Sequence, residues 1–412
     1  MRLRCHPRIP SLRVAAVASA VGLTLASLAA AGPPAAAVGT WSTPVNLGRS
    51  DGGPPSLSVN QAGRAAIEFT YTPNSTQIGT IFHATADAGA AWSAATAVPG
   101  STAYDSLSAA VAVGPDGTAT SLSVASQIDG LSSAYVENSQ SPLGTWSSQG
   151  VVASPAPGRA AVQVGTSGAP VVVRPLPGCG LGDLAGVAIT GDCVSKWRFV
   201  IGASGAGALV WLTKSGTLRA ALLNAAGNWG PDVTLATAAV ALGLGVDPSG
   251  TATAAYTSKT ATTGLYQVWV VTAPSGASWG SPVQVSGTGC SSGVDMARAA
   301  NGTGLVAAGI RNGRACEAAV AVIAPGGTIG PVRFLSGTAG VSSPVAAATA
   351  VGTYVVAWTA GGATWASIGG AGGFAPASKL GAGGSLAAAG GGGWATVAWC
   401  TASCSATSGP AP

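Results

Sequence analysis

The sequence predicts an all-β fold, a β-propeller of seven or eight four-stranded antiparallel blades closed by its own N-terminal strand. Three observations lead there. After residue 37 the apolar runs are short, about 4–8 residues, and end in Gly, Pro, Ser or Asp, which is strand punctuation and not helical periodicity. A unit of strand, glycine turn and strand recurs along the chain. The best-formed copies recur about every 50 residues, the length of four short strands with their turns.

The unit can be followed residue by residue. Leu57-Ser-Val59 runs through Asn60-Gln-Ala-Gly63 into Ala65-Ala-Ile-Glu-Phe69. Val111-Ala-Val113 runs through Gly114-Pro-Asp-Gly117 toward Leu122-Ser-Val124, and Leu244-Gly-Val246 through Asp247-Pro-Ser-Gly250 into Ala252-Thr-Ala-Ala-Tyr256. Glycine ends each turn because such hairpin turns commonly need a positive φ. Eight such hairpins begin near residues 56, 108, 160, 198, 241, 293, 342 and 385. A bulky residue (Trp92, Trp146, Trp229, Trp279 or Phe374) marks several fourth strands, as in Trp279-Gly-Ser-Pro-Val-Gln-Val285. Between residues 176 and 198 a loop replaces the expected fourth strand and two units can merge, so the count stays at seven or eight.

Inner strands of stacked blades are buried on both faces, and one face must be small enough to admit the neighbour. Leu242, Leu244 and Val246 alternate with Ala241, Gly243 and Gly245 in that way. This explains a chain with only 8% charged residues and 62 glycines. The last hairpin, Ser385 to Ala402, is followed by too few residues for a full blade, and an orphan strand, Trp41 to Leu47, precedes the first. The N-terminal strand is therefore expected to complete the C-terminal blade and remove an open edge.

The first 37 residues read as a signal peptide. Arg2, Arg4, Arg8 and Arg13 form a basic region, Val14 to Ala31 the apolar region, and Ala35-Ala36-Ala37 a cleavage site before Val38. The expected mature chain is a single domain, residues 38–412, of an exported bacterial protein. Four of the 18 basic residues lie in the leader, leaving 14 against 13 acidic ones, so no basic patch points to nucleic acid. No later run is long enough to cross a bilayer, so no membrane contact is expected after cleavage. Cys179, Cys193, Cys290, Cys316, Cys400 and Cys404 remain, an even number that suits disulfides in an exported chain. Sequential pairing is expected. Cys290 and Cys316 begin a first and a third strand on one sheet edge, Cys400 and Cys404 flank a turn, and Cys179 and Cys193 close a loop. Neither zinc-type spacing nor a phosphate-cradling loop occurs, so no metal and no cofactor is expected.

At Thr85-Ala-Asp87-Ala-Gly89-Ala-Ala-Trp92 the chain resembles the Asp-box, or BNR repeat, of sialidase-like propellers. The resemblance implies that Asp87 bonds amides of its own turn, that Gly89 supplies the turn, and that Trp92 packs between strands. Thr272 to Trp279 keeps the spacing without the aspartate. A sialidase would also need an arginine triad, a Tyr/Glu pair and an acid; Val173-Arg174-Pro-Leu-Pro177 and Tyr135 with Glu137 are loose matches only. His83 near a strand end reads as a surface residue. Asp295 and Arg298, on a first strand, are the candidates to line a central channel, against an internal ion pair or solvated rim positions, and Trp269 is the candidate to stack on a sugar, against packing within a blade. The resulting expectation is a secreted, monomeric, non-catalytic module binding a carbohydrate or another cell-surface ligand. A divergent sialidase-type glycoside hydrolase is the alternative, and a structural envelope component is a third.

Overall fold

The computed structural model describes residues 41–73, 79–101, 105–126, 133–156, 158–260, 265–335, 340–349 and 352–410. The expected signal peptide lies outside the described residues. Among them there are no α-helices, and the strands pair into seven antiparallel sheets. In chain order we name these A (56–97), B (105–153), C (161–190), D (194–236), E (239–334), F (342–382) and G (385–410). Sheets A, B, C, D and G have four strands each; in G the fourth is the N-terminal strand Val45–Arg49, paired to Ser403–Pro410.

Local chemistry shapes the hairpins. In the turn after Val246, Gly250 has a φ of 93° and its amide donates to the Asp247 carbonyl. The Asp247 carboxylate then accepts the amides of Ser249 and Thr251, so the side chain replaces missing backbone partners. Asn60 holds the turn of sheet A in the same manner, accepting from the amides of Ala62 and Arg64.

Two findings differ from the sequence reading. Residues 176–198 do not merge two units. Leu181–Gly182 and Ala188–Thr190 supply short third and fourth strands to sheet C, and Val194 opens a separate sheet D. The Cys179–Cys193 disulfide, with Gly180 and Gly186 at φ of 95° and 88°, lets the chain turn back within this short stretch. The continuous stretch lies elsewhere: the 16-residue strand Val283–Arg298 pairs on one side with Tyr266–Ala273 and on the other with Gly304–Asn312, so sheet E has seven strands. Its second half, Val294–Arg298, begins a new set of strands in that sheet. The other disulfides are Cys290–Cys316 and Cys400–Cys404.

The first strand of each set packs on the next. Ser56–Val59 touches Asp105–Val113, which touches Ala161–Val164, followed by Val194–Ile201, Ala239–Val246, Val283–Arg298, Ser342–Ala348 and Ser385–Gly391, and the last returns to Ser56–Val59. The small residues read from the sequence act here. A Cβ on Gly243 would lie 2.6 Å from the Asp295 Cα, and one on Gly245 would lie 2.9 Å from the Ala297 carbonyl carbon. Backbone meets backbone at these points, and a methyl group has no room.

The core lies between sheets, in layers. Leu242, Leu244 and Val246 of sheet E pack on Ala208, Val210 and Leu212 of sheet D. Tyr354, Val356 and Trp358 of sheet F pack on Leu305 and Val320 of sheet E, with Trp358 fully buried. Ile67 and Phe69 of sheet A meet Ala398 and Ala406 of sheet G. Burying each large side chain of this kind contributes about 1.5–3 kcal/mol.

Candidate functional site

The ring of first strands surrounds a cavity of ≈ 840 Å³. Most of its wall is Ala, Val, Leu and Ser, and its charges come from a few residues. Arg159 stands just before the strand Ala161–Val164, Lys196 and Arg198 lie on Val194–Ile201, and Asp295 lies on Val283–Arg298. Gln163, Trp197 and Ser56 add polar and aromatic surface.

The two arginines differ from the other charges in lacking partners. Among the described residues no hydrogen bond or ion pair engages either guanidinium, although both side chains are exposed by area and line the cavity. Arg159 is deep enough that desolvation lowers its pKa; the like charge of Arg198 lowers it further, and Glu68 partly offsets both. Both guanidiniums line the same cavity, where like charges repel. Lys196 reaches the Val240 carbonyl at 3.4 Å.

Asp295 is the one carboxylate in this lining among the described residues. Desolvation raises its pKa, opposed by Arg198 and by two amide hydrogen bonds. Its oxygens accept from the amides of Met296 at 2.9 Å and Ala346 at 3.0 Å. Asp295 therefore ties sheet E to sheet F while presenting negative charge to Arg198. What this arrangement can do is hold an anion between Arg159 and Arg198, with the aspartate setting the geometry of one wall.

The other residues singled out by the sequence lie apart. Arg298 does not line the cavity. It is buried, with Nε and Nη2 on Asp247 Oδ2 at 3.3 and 3.1 Å, Nη1 on Thr253 Oγ1 at 2.9 Å and Nη2 on the Gly302 carbonyl at 2.8 Å. The alternation of the strand puts Asp295 and Arg298, three residues apart, on opposite faces. Trp269 is half-buried against the layer between sheets D and E, and its indole donates to Ser258 Oγ at 3.1 Å. Its ring packs inside the fold and does not reach the cavity.

In the segment that resembles an Asp-box, Gly89 has a φ of 71°, Trp92 is buried, and Thr85 bonds Ser93. The Asp87 carboxylate accepts from Arg64 at 2.8 Å, and the turn amide of Ala90 donates to the Asp87 carbonyl. An arginine on the adjoining hairpin thus takes the side chain that the resemblance assigns to the turn. Tyr135 donates to the Gly158 carbonyl at 2.7 Å, and burial pushes its phenol up to about 12. Neither it nor Glu137 lines the cavity. His83 is 1% exposed, contrary to the expected placement near a strand end on the surface: it lies in the middle of the strand Thr80–Ala86, covered by Gln140 and Trp146 of sheet B.

Arg159, Lys196 and Arg198 were missed in the sequence. The signal was the one that singled out Asp295: a charge on or beside a first strand of small apolar residues. It went unread because the third and fourth units were the least regular.

No protein-family model matches the chain, and no curated protein matches it. Among solved structures it is similar to an α-L-arabinanase of Penicillium chrysogenum complexed with arabinobiose (13% identity, 90% of this chain and 98% of that one, TM-score 0.44). It is also similar to the polysaccharide lyase Uly1 (10% identity, 88% and 90% covered, TM-score 0.47). A third is the NanB sialidase of Streptococcus pneumoniae (12% identity, 77% and 67% covered, TM-score 0.42).

Proposed function

We propose that residues 38–412 form a secreted, monomeric β-propeller of eight blades, completed by the strand Val45–Arg49, that binds an acidic glycan on a surface without turning it over. The observation that carries this reading is the pair of guanidiniums, Arg159 and Arg198, that have no hydrogen-bond or salt-bridge partner among the described residues and line a cavity large enough for a sugar. Carboxylates and sulfates suit such a pair because each can accept two parallel N–H bonds from one arginine. Asp295 supports a binding role. Both of its oxygens are held by amides, and ordinary glycoside hydrolysis needs two carboxyl groups across the bond.

A glycan array comparing uronate-bearing or sulfated saccharides with neutral ones tests the reading. Acidic saccharides should be retained and neutral ones not, and Arg159→Ala or Arg198→Ala should weaken retention roughly 10- to 100-fold each. Equal binding of neutral saccharides, or arginine variants that bind like the parent, would overturn it. Release of the terminal sugar during the assay would shift the reading to the sialidase-type alternative.

A further inference from the structure

Sheets A and B meet through two thin apolar levels. Ala66 packs on Val111, Val113 and Ala119 at one, and Ile81 on Val98 and Ala109 at the other. Between them lies a polar level that the strand registers define. In sheet A, Glu68 is paired with Ser56 on one side and His83 on the other; in sheet B, Ser121 is paired with Val111 and Asn138. The Val111 amide donates to Ser56 Oγ at 2.9 Å, which locks the two sheets together at this height.

Part of the level is satisfied. His83 Nδ1 lies 3.1 Å from Glu68 Oε1, and its Nε2 lies 3.1 Å from Gln140 Oε1. Four atoms are not: Glu68 Oε2, Ser121 Oγ, and both Oδ1 and Nδ2 of Asn138. All three residues are 1% exposed or less. Buried polar atoms left without partners are costly, and several at one height of one interface point to a shared occupant.

We infer that this level is an internal hydration site, a radial branch of the central cavity holding about one or two ordered water molecules. The donor and acceptor pattern selects water. Glu68 Oε2 and Asn138 Oδ1 need donors, Asn138 Nδ2 needs an acceptor, and the Ser121 hydroxyl takes either role. A bare cation would satisfy the oxygens and leave the amide N–H₂ facing positive charge. The branch opens from the cavity because Ser56 and Val111, at the inner end of the same level, belong to the cavity wall.

A high-resolution crystal structure of the mature chain, with oxygen-17 relaxation dispersion of its water, tests this. Density within hydrogen-bond distance of Glu68 Oε2 and the Asn138 amide is expected, and Ser121→Ala/Asn138→Leu should lose about one or two long-lived waters. If that variant does not fold, the wild-type density decides. A dry level in which the Asn138 amide bonds Glu68 directly, or an oxygen-coordinated cation in the branch, would overturn the inference.

Discussion

Replacing Arg298 by methionine probes how the inner strands are held. The guanidinium makes four hydrogen bonds from one buried position, two to Asp247 and one each to Thr253 and the Gly302 carbonyl. The side chains of Arg298 and Asp247 are 3% and 5% exposed. Methionine fills similar volume but removes every donor to Asp247 Oδ2, while Oδ1 keeps its bonds to Ser249 and Thr251. A buried carboxylate stripped of its counter-ion costs about 3–5 kcal/mol. Equilibrium urea unfolding should show Arg298→Met destabilised by that amount. Asp247→Asn in the same background removes the orphaned charge and should restore part of it, a coupling of about 0.5–3 kcal/mol. A loss below about 1 kcal/mol, or full additivity of the two substitutions, would show that Arg298 does not offset the buried Asp247 charge.

Gly243→Ala should destabilise by about 1–3 kcal/mol in the same assay, because its Cβ would sit 2.6 Å from the Asp295 Cα, whereas Gly372→Ala, with open space around it, should change little. The indole N–H of Trp211 and the Arg219 guanidinium hold the Asp192 carboxylate below its ordinary range. Its contribution is therefore present above the ordinary carboxylate range and lost as pH falls through the folded-state value. Melting temperatures of the wild type and Asp192→Asn should differ at neutral pH and converge in acid; a constant gap would contradict this.

The positions of the hairpins were legible because their signal is local. Each pairs a short apolar run with a turn that needs glycine or a side-chain acceptor, as at Asn60 to Gly63 and Asp247 to Gly250. Sheet C was harder to read because its outer strands have only two and three residues and are held by a disulfide, not by pattern. The joined strand at Val283–Arg298 was invisible for another reason: Gly287, Gly289 and Gly293 look like breaks, yet the strand runs through them, with Gly293 at a φ of 107° inside the register shift between Gly289 and Val294. The site was only partly legible. Asp295 was singled out by its charge on an inner strand, but two of its partners, Ala346 and Arg198, come from other sheets, F and D, distant in the chain. Whether such a charge ends in the cavity or in an internal ion pair depends on strand face, which separates Asp295 from Arg298. His83 was misplaced because covering by a neighbouring sheet leaves no mark on the strand that is covered.

A crystal structure of the mature chain soaked with a glucuronate-terminated oligosaccharide decides whether Arg159 and Arg198 receive an anionic sugar. Sugar density is expected inside the cavity with its carboxylate between the two guanidiniums, lost when both are alanine. Density for the sugar on an outer sheet edge, with the cavity holding solvent alone, would contradict it.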